Sequence, residues 1–102
     1  MIHTTPLAQK CYAFMRQIPK GKVTTYKILA EKCKTWPRVI GRICGANPDV
    51  PATPCHRVVR SDGMVDGYVF GTDKKIELLR SEWIHIDDKN HILDFKDMIR
   101  NY

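Results

Sequence analysis

Residues 24–45 read Thr-Thr-Tyr-Lys-Ile-Leu-Ala-Glu-Lys-Cys-Lys-Thr-Trp-Pro-Arg-Val-Ile-Gly-Arg-Ile-Cys-Gly, and this stretch holds two helix starts and two helix stops. Thr24 and Thr25 offer capping hydroxyls, and Ile28, Leu29 and Cys33 then fall on one face, which predicts a helix from Tyr26 to about Lys32. Lys34-Thr35-Trp36 breaks the pattern. Pro37 has the fixed φ suited to a first helical turn and opens a second helix, Arg38 to Cys44, with Val39, Ile40, Ile43 and Cys44 apolar; Gly45 and Asn47-Pro48 stop it. Two short helices across a tight break, the second carrying Arg38 and Arg42, form a predicted helix-turn-helix over about 24–45. Such hairpins also occur in proteins that never touch DNA, so function has to be read from the rest of the chain.

Upstream, Thr5-Pro6 reads as a capped helix start, and Leu7, Cys11, Phe14, Met15 and Ile18 recur at helical spacing until Pro19 and Gly21 end the run. Cys11 lies on that stripe and is assigned to packing. Downstream, Pro48, Pro51 and Pro54 remove backbone donors and predict a stiff extended loop over Asn47 to Pro54.

That loop delivers Pro54-Cys55-His56-Arg57-Val58, a thiol beside a possible base and a guanidinium. Thiol chemistry requires the thiolate, and a free cysteine with pKa about 8.5 supplies little of it at neutral pH without a neighbouring base or cation. In an extended strand Cys55 and His56 would point to opposite faces. Either the backbone turns here or a water connects them.

His56 to Arg60 reads as a short β-like segment ending at the turn Ser61-Asp62-Gly63. Met64 to Gly71, with Gly67 and Gly71 around Tyr68, Val69 and Phe70, suggests a wall beside a pocket. Thr72-Asp73 is expected to cap a fourth helix with Ile76, Leu79 and Trp83 on its apolar face, ending near Glu82. Trp83–Asp87 and His91–Phe95 alternate around Asp88-Lys89-Asn90 as a hairpin, and Lys96–Tyr102 is expected to form a helical turn. The expected fold class is therefore mainly α with small β elements, in one domain.

The chain of 102 residues is 43% apolar and 27% charged, values expected of a globular protein. Lys and Arg outnumber Asp and Glu by 17 to 11, giving a net charge of +6, and nucleic acid is the first partner such a balance suggests. Cys11, Cys33, Cys44 and Cys55 form no Cys-x-x-Cys pair, and His3, His85 and His91 have no partner at metal spacing, so no metal site is expected. No apolar run is long enough to span a membrane and no secretory leader is visible, so an intracellular protein with reduced thiols is expected.

Four strings together are more particular than any one of these signals: Ile18-Pro19-Lys20-Gly21-Lys22-Val23-Thr24-Thr25-Tyr26, Arg38-Val39-Ile40-Gly41-Arg42, Ala46-Asn47-Pro48, and Pro54-Cys55-His56-Arg57-Val58-Val59-Arg60-Ser61-Asp62-Gly63. In these the chain resembles the catalytic domain of the O6-alkylguanine-DNA alkyltransferases from about Leu7 to Glu82, with residues 83–102 outside the likeness. The resemblance implies a winged helix-turn-helix-like domain that repairs double-stranded DNA by moving an alkyl group from guanine to Cys55, once, as a monomer and without a cofactor. It implies that His56 is the base through a bound water, that Glu82 orients His56, and that Asn47 braces the active-site turn. Tyr26 would help rotate the nucleotide and protonate the departing guanine, while Arg38 would fill the gap in the stack, with the second helix in the minor groove. Thr25, Gly41, Arg42 and Arg57 complete the implied DNA contacts, and Val58, Tyr68, Val69 and Phe70 the implied substrate pocket.

The chain also departs from the pattern. Val69-Phe70 stands where relatives often have Ser-Gly, which keeps the backbone N–H of residue 69 but removes a hydroxyl and adds bulk. Trp83 occupies a position where glycine is usual, beside Glu82. The helix-turn-helix break is about two residues shorter than in many relatives, and a zinc site belonging to a preceding domain is expected to be absent. The alternative function is an alkyltransferase-like lesion sensor that binds without transfer, although such proteins lack the cysteine; a small helix-turn-helix regulator with an inert Cys55 is the third reading.

Overall fold

The computed structural model describes residues 5–100 and contains five helices and a two-stranded sheet. Helix α1 spans Pro6–Arg16; the Thr5 hydroxyl caps it by accepting from the Ala8 N–H at 3.1 Å. Strand β1 is Thr24–Thr25, and α2 follows directly over Tyr26–Cys33, with the Thr25 hydroxyl accepting from the Ile28 N–H at 3.0 Å. Lys34 takes a left-handed conformation (φ 58°) that closes α2. Helix α3, Pro37–Gly45, buries Ile40 and Ile43 and leaves Arg38, Gly41 and Arg42 exposed. The helix-turn-helix read from the sequence is present within one residue at each end.

Between residues 47 and 81 three expected elements differ. Asn47–Pro54 is not extended: the Thr53 N–H bonds back to the Asp49 carbonyl at 2.7 Å, folding the segment into turns. The expected β-like segment is a 3-10 turn over Cys55–Arg57 followed by a two-residue strand β2, Val58–Val59. Finally, α4, Thr72–Ser81, has Gly71 at its N-cap with no side-chain cap; the Thr72 hydroxyl accepts instead from the Gly67 N–H at 3.2 Å, tying down the preceding loop.

Strands β1 and β2 pair in parallel, Thr24 opposite Val58 and Thr25 opposite Val59. Because successive strand residues point to opposite faces, Val58 enters one hydrophobic cluster and Val59 another. The first cluster joins α1, α2 and α3, with Cys11, Met15, Leu29 and Ile40 at its centre; Cys11 and Cys33 are packing residues there, as expected for Cys11. The second gathers Val23, Val65, Ile76, Leu79, Ile84, Ile86 and Ile92. The segment carrying Cys55 is thus the seam between two cores, fixed from both sides.

Residues 83–100 add the wing. Its hairpin is reduced to single bridges, Ile86 with Ile92 and Met64 with His91, around a turn in which the Asp87 carboxylate accepts from the N–H groups of Lys89 and His91, both at 2.9 Å. The helical turn α5 covers Phe95–Met98, earlier than expected, and Ile99 then bridges in parallel to Val23. His85 is exposed and His91 half-buried at this hairpin; His3 lies outside the described residues.

Candidate active site

The turn at Pro54-Cys55 answers the geometric objection raised by the sequence. With Cys55–Arg57 in 3-10 geometry the side chains no longer alternate, and Cys55, His56 and Val58 all pack inward. Cys55 is only 3% exposed, yet it is not sealed: it lines a cavity of about 340 Å3. Tyr26, Tyr68 and Val69 form other walls of that space. Gly41 and Gly45 face it from α3, and a Cβ at either would meet nothing within 4 Å, so the cavity wall is left open there.

His56 is held by a carboxylate that is itself ion-paired to Arg57. Its Nε2 lies 3.0 Å from Glu82 Oε2, and the Arg57 guanidinium grips the same carboxylate through Nε–Oε1 at 2.9 Å and Nη2–Oε2 at 2.7 Å. A carboxylate only accepts, so Nε2 carries the imidazole proton and Nδ1 is left with its lone pair. Nδ1 is buried and has no hydrogen-bond partner among the described residues, an arrangement that leaves an acceptor ready for a proton. Glu82 makes this contact although Trp83 follows it in a left-handed conformation (φ 67°). Trp83 is 76% exposed, so that backbone turn is made without burying the indole.

Asn47 braces the loop on the far side of Cys55. Its Nδ2 donates to the Thr53 carbonyl at 2.8 Å and its Oδ1 accepts from the Asp49 N–H at 3.0 Å. Arg16 reaches across from α1 to the Thr53 hydroxyl at 3.1 Å.

The residue that sequence reading missed is Lys75. It belongs to the buried face of α4, fully enclosed, with Nζ donating to the carbonyls of Val58 (2.7 Å), Asp66 (3.1 Å) and Gly67 (3.1 Å) and lying 3.3 Å from the Tyr26 hydroxyl. Its ammonium also sits 5.5 Å from the centre of the Tyr26 ring. The signal was faint but present: Lys75 precedes Ile76 and stands four residues before Leu79, on the apolar side of α4.

Burial sets the resting charges. It pushes the Cys55 thiol above its ordinary value, opposed by the Asn47 side chain and the Lys75 charge, and it holds His56 below its own. Burial also lowers Lys75 to about 8. For Glu82 burial acts upward, but the hydrogen bonds from Arg57 and His56 outweigh it and keep the carboxyl below its usual range. The resting pair is therefore a neutral thiol and a neutral imidazole. Moving the thiol proton to Nδ1 would create a thiolate in the field of Lys75 and an imidazolium against Glu82, so each new charge meets a prepositioned opposite one.

Several residues sit elsewhere than expected. Arg57, grouped with the DNA contacts, turns inward to Glu82 and to the Ile18 carbonyl at 2.7 Å. Thr25, grouped likewise, is buried as the α2 cap. Val58 is wholly buried and reaches the site only through its carbonyl on Lys75, and Phe70 is 64% exposed, edge-on to Tyr68 at 5.7 Å between centroids, outside the cavity lining. Cys44 lines the cavity although it was read only as an apolar helix residue, and Gly67 lines it as part of the expected pocket wall. Tyr26 joins the cavity to the surface of the helix-turn-helix, where Arg38, Gly41 and Arg42 stand exposed. Among the described residues no group of three His, Cys, Asp or Glu side chains could hold a metal ion, and no helix is long and apolar enough to cross a membrane.

Comparison with known proteins agrees with this geometry. Residues 6–84 match the family profile described as 6-O-methylguanine DNA methyltransferase, DNA binding domain. A methylated-DNA--protein-cysteine methyltransferase of Candida albicans is 42% identical over 86 residues, covering 84% of this chain and 49% of that protein. The Mycobacterium tuberculosis OGT in complex with DNA superposes with a TM-score of 0.75 at 30% identity, over 80% of this chain and 52% of its own. The chain thus spans about half the length of these relatives. Schizosaccharomyces pombe Atl1, solved with damaged DNA containing O6-carboxymethylguanine, shares the fold over 99% of this chain and all of its own, with a TM-score of 0.84 at 20% identity, so the C-terminal wing that lies beyond the sequence likeness belongs to a known form of the fold. On the profile match and the shared architecture together, this chain belongs to the 6-O-methylguanine DNA methyltransferase family.

Proposed function

We propose that this protein reverses O6-alkylation of guanine in double-stranded DNA by transferring the alkyl group irreversibly to Cys55, and that residues 1–102 form one catalytic and DNA-binding domain. Its parts are the helix-turn-helix at about 24–45, the reactive segment at 47–60 and the C-terminal hairpin and tail at 83–102. The observation that carries the reading is the shared cavity of Cys55 and Tyr26 backed by His56 with an unpartnered Nδ1.

A guanine inside a duplex hides its O6 substituent from in-line attack, so the nucleotide is extruded at a cost of a few kcal/mol, which Arg38 offsets by occupying the vacated stack from the minor groove. The Cys55 proton passes through a solvent molecule to His56 Nδ1. The thiolate attacks the alkyl carbon; the S–C bond forms as the C–O bond breaks, and the electron pair moves into the guanine ring. Tyr26, whose hydroxyl burial keeps protonated, supplies a proton to the departing base, and Lys75 beside it replaces that proton. The Val69 N–H stands in for the missing serine hydroxyl toward O6. The thioether has no easy hydrolytic exit, so the protein acts once, as a monomer inside the cell, with no cofactor consumed.

Intact-mass measurement after incubation with a duplex containing O6-methylguanine tests this. The expected result is a gain of one methyl group, located on Cys55, stopping at one equivalent and absent in Cys55→Ser. Lesion binding with no mass gain would instead support a sensor, and indifference to the lesion a regulator.

A further inference from the structure

Trp36 is the side chain that neither the core nor the site explains. It is 70% exposed at the break of the helix-turn-helix, where its backbone is held firmly: the carbonyl accepts from the N–H groups of Val39 (3.0 Å) and Ile40 (3.2 Å), and Pro37 follows. A rigid backbone presenting a bare indole leaves apolar surface in water that a partner would cover favourably. The surroundings are cationic. Lys34 precedes it in the break, Arg38 follows two residues later, and its neighbour Pro37 lines, with Tyr26, Lys27 and Arg60, a shallow groove of about 270 Å3. Tyr26 is common to this groove and to the Cys55 cavity, and Trp36 immediately precedes Pro37 of the groove lining.

An aromatic plane set among cations fits one kind of partner: a nucleic-acid strand, whose phosphates meet the cations while a sugar or base face covers the ring. We propose that Trp36 is a second DNA-contacting aromatic, covering the strand next to the everted nucleotide and adding affinity that does not come from charge. This deepens the repair reading and rests on it. Trp83, as exposed but on the wing beside Arg80, Ile84, Ile86 and Leu93, would report on a different surface and is therefore removed in the test.

The test uses the full chain in a Trp83→Phe background, so that Trp36 is the sole fluorophore of its type, with a duplex carrying one O6-methylguanine. Saturating duplex should quench Trp36 and shield it from acrylamide. In the same background Trp36→Ala should weaken duplex affinity about 5- to 100-fold. The slope of log affinity against log salt should stay as in the parent, whereas Arg42→Ala should lower it by about one. Trp36 equally accessible to acrylamide with and without duplex, or Trp36→Ala binding as tightly as its parent, would overturn the proposal. The mass gain on Cys55 in the parent is followed in parallel: its presence beside an unshielded Trp36 sinks this proposal alone, and its absence sinks the repair reading.

Discussion

The Nε2 of His56 lies 3.0 Å from Oε2 of Glu82, and that one contact fixes which imidazole nitrogen keeps a free lone pair. The carboxylate is itself held by Arg57 from the residue next to His56, so imidazole, carboxylate and guanidinium form one buried unit. Electrostatic preorganisation of this kind is sensitive to the loss of any member.

Glu82→Ala should therefore cost both stability and reactivity. It leaves Arg57 and His56 without their partner in a site where Glu82 is 8% and Arg57 13% exposed, and breaking such a pair costs about 3–5 kcal/mol. Urea denaturation reads this directly. Because the folded carboxyl titrates below its ordinary value near 4.5, its contribution is present above that pH and fades as pH falls through the lower folded value. Glu82→Gln should flatten the acid limb of the stability profile; an unchanged limb would show that the pair contributes nothing.

Lys75 acts on the thiol from the other side. Its charge lowers the Cys55 pKa against burial, so removing it in Lys75→Met should raise that pKa further. The rate of Cys55 modification by iodoacetamide, followed against pH in the wild type, should rise with a midpoint above the ordinary thiol value of 9.0. In Lys75→Met the midpoint should move higher still, and alkyl transfer at neutral pH should slow by about tenfold for each unit of that movement. A midpoint that stays put would separate Lys75 from the chemistry and leave it a structural tie of three carbonyls.

Arg38 stands exposed on α3 and touches neither Cys55 nor His56 among the contacts of the site. If its task is extrusion, Arg38→Ala should slow transfer from duplex DNA by tenfold or more, since extrusion costs a few kcal/mol. Transfer from the free O6-alkylguanine base should suffer far less. Equal losses on both substrates, measured as second-order rates of Cys55 alkylation, would reject the extrusion role.

Gly63 ties the wing to the body. It has φ +85°, and a Cβ there would meet the Phe95 ring at 3.1 Å. Gly63→Ala should destabilise by about 1–3 kcal/mol through backbone strain, with ring displacement adding to it. Adding Phe95→Ala should remove the steric part and leave the strain, so the double variant should lose less than the sum of the single losses in thermal or urea unfolding.

The helices were legible because their rules are local. Thr5, Thr25, Pro6, Pro37 and the apolar spacing of Ile28, Leu29, Ile40 and Ile43 act within one or two turns, and the structure places α1, α2 and α3 where those signals put them. Cys55, His56 and Asn47 were named through the family strings and Glu82 through the resemblance those strings carry, and the structure brings His56 to Glu82 and Asn47 to the loop before Cys55. The wing was harder to read: it pairs through isolated bridges to Met64 and Val23, whose partners are distant in sequence.

What only the tertiary structure decided is the use of charge and aromatic surface. Lys75 on α4 drew no reading from the sequence and Arg57 was expected at DNA, yet Lys75 is buried against the carbonyls of Val58, Asp66 and Gly67, and Arg57 against Glu82. The opposite happened to Phe70, expected at the pocket and found outside it. Burial of a charge depends on whether acceptors from other segments converge on it, and that convergence follows from packing two cores about the Val58–Val59 seam, which local sequence rules do not encode.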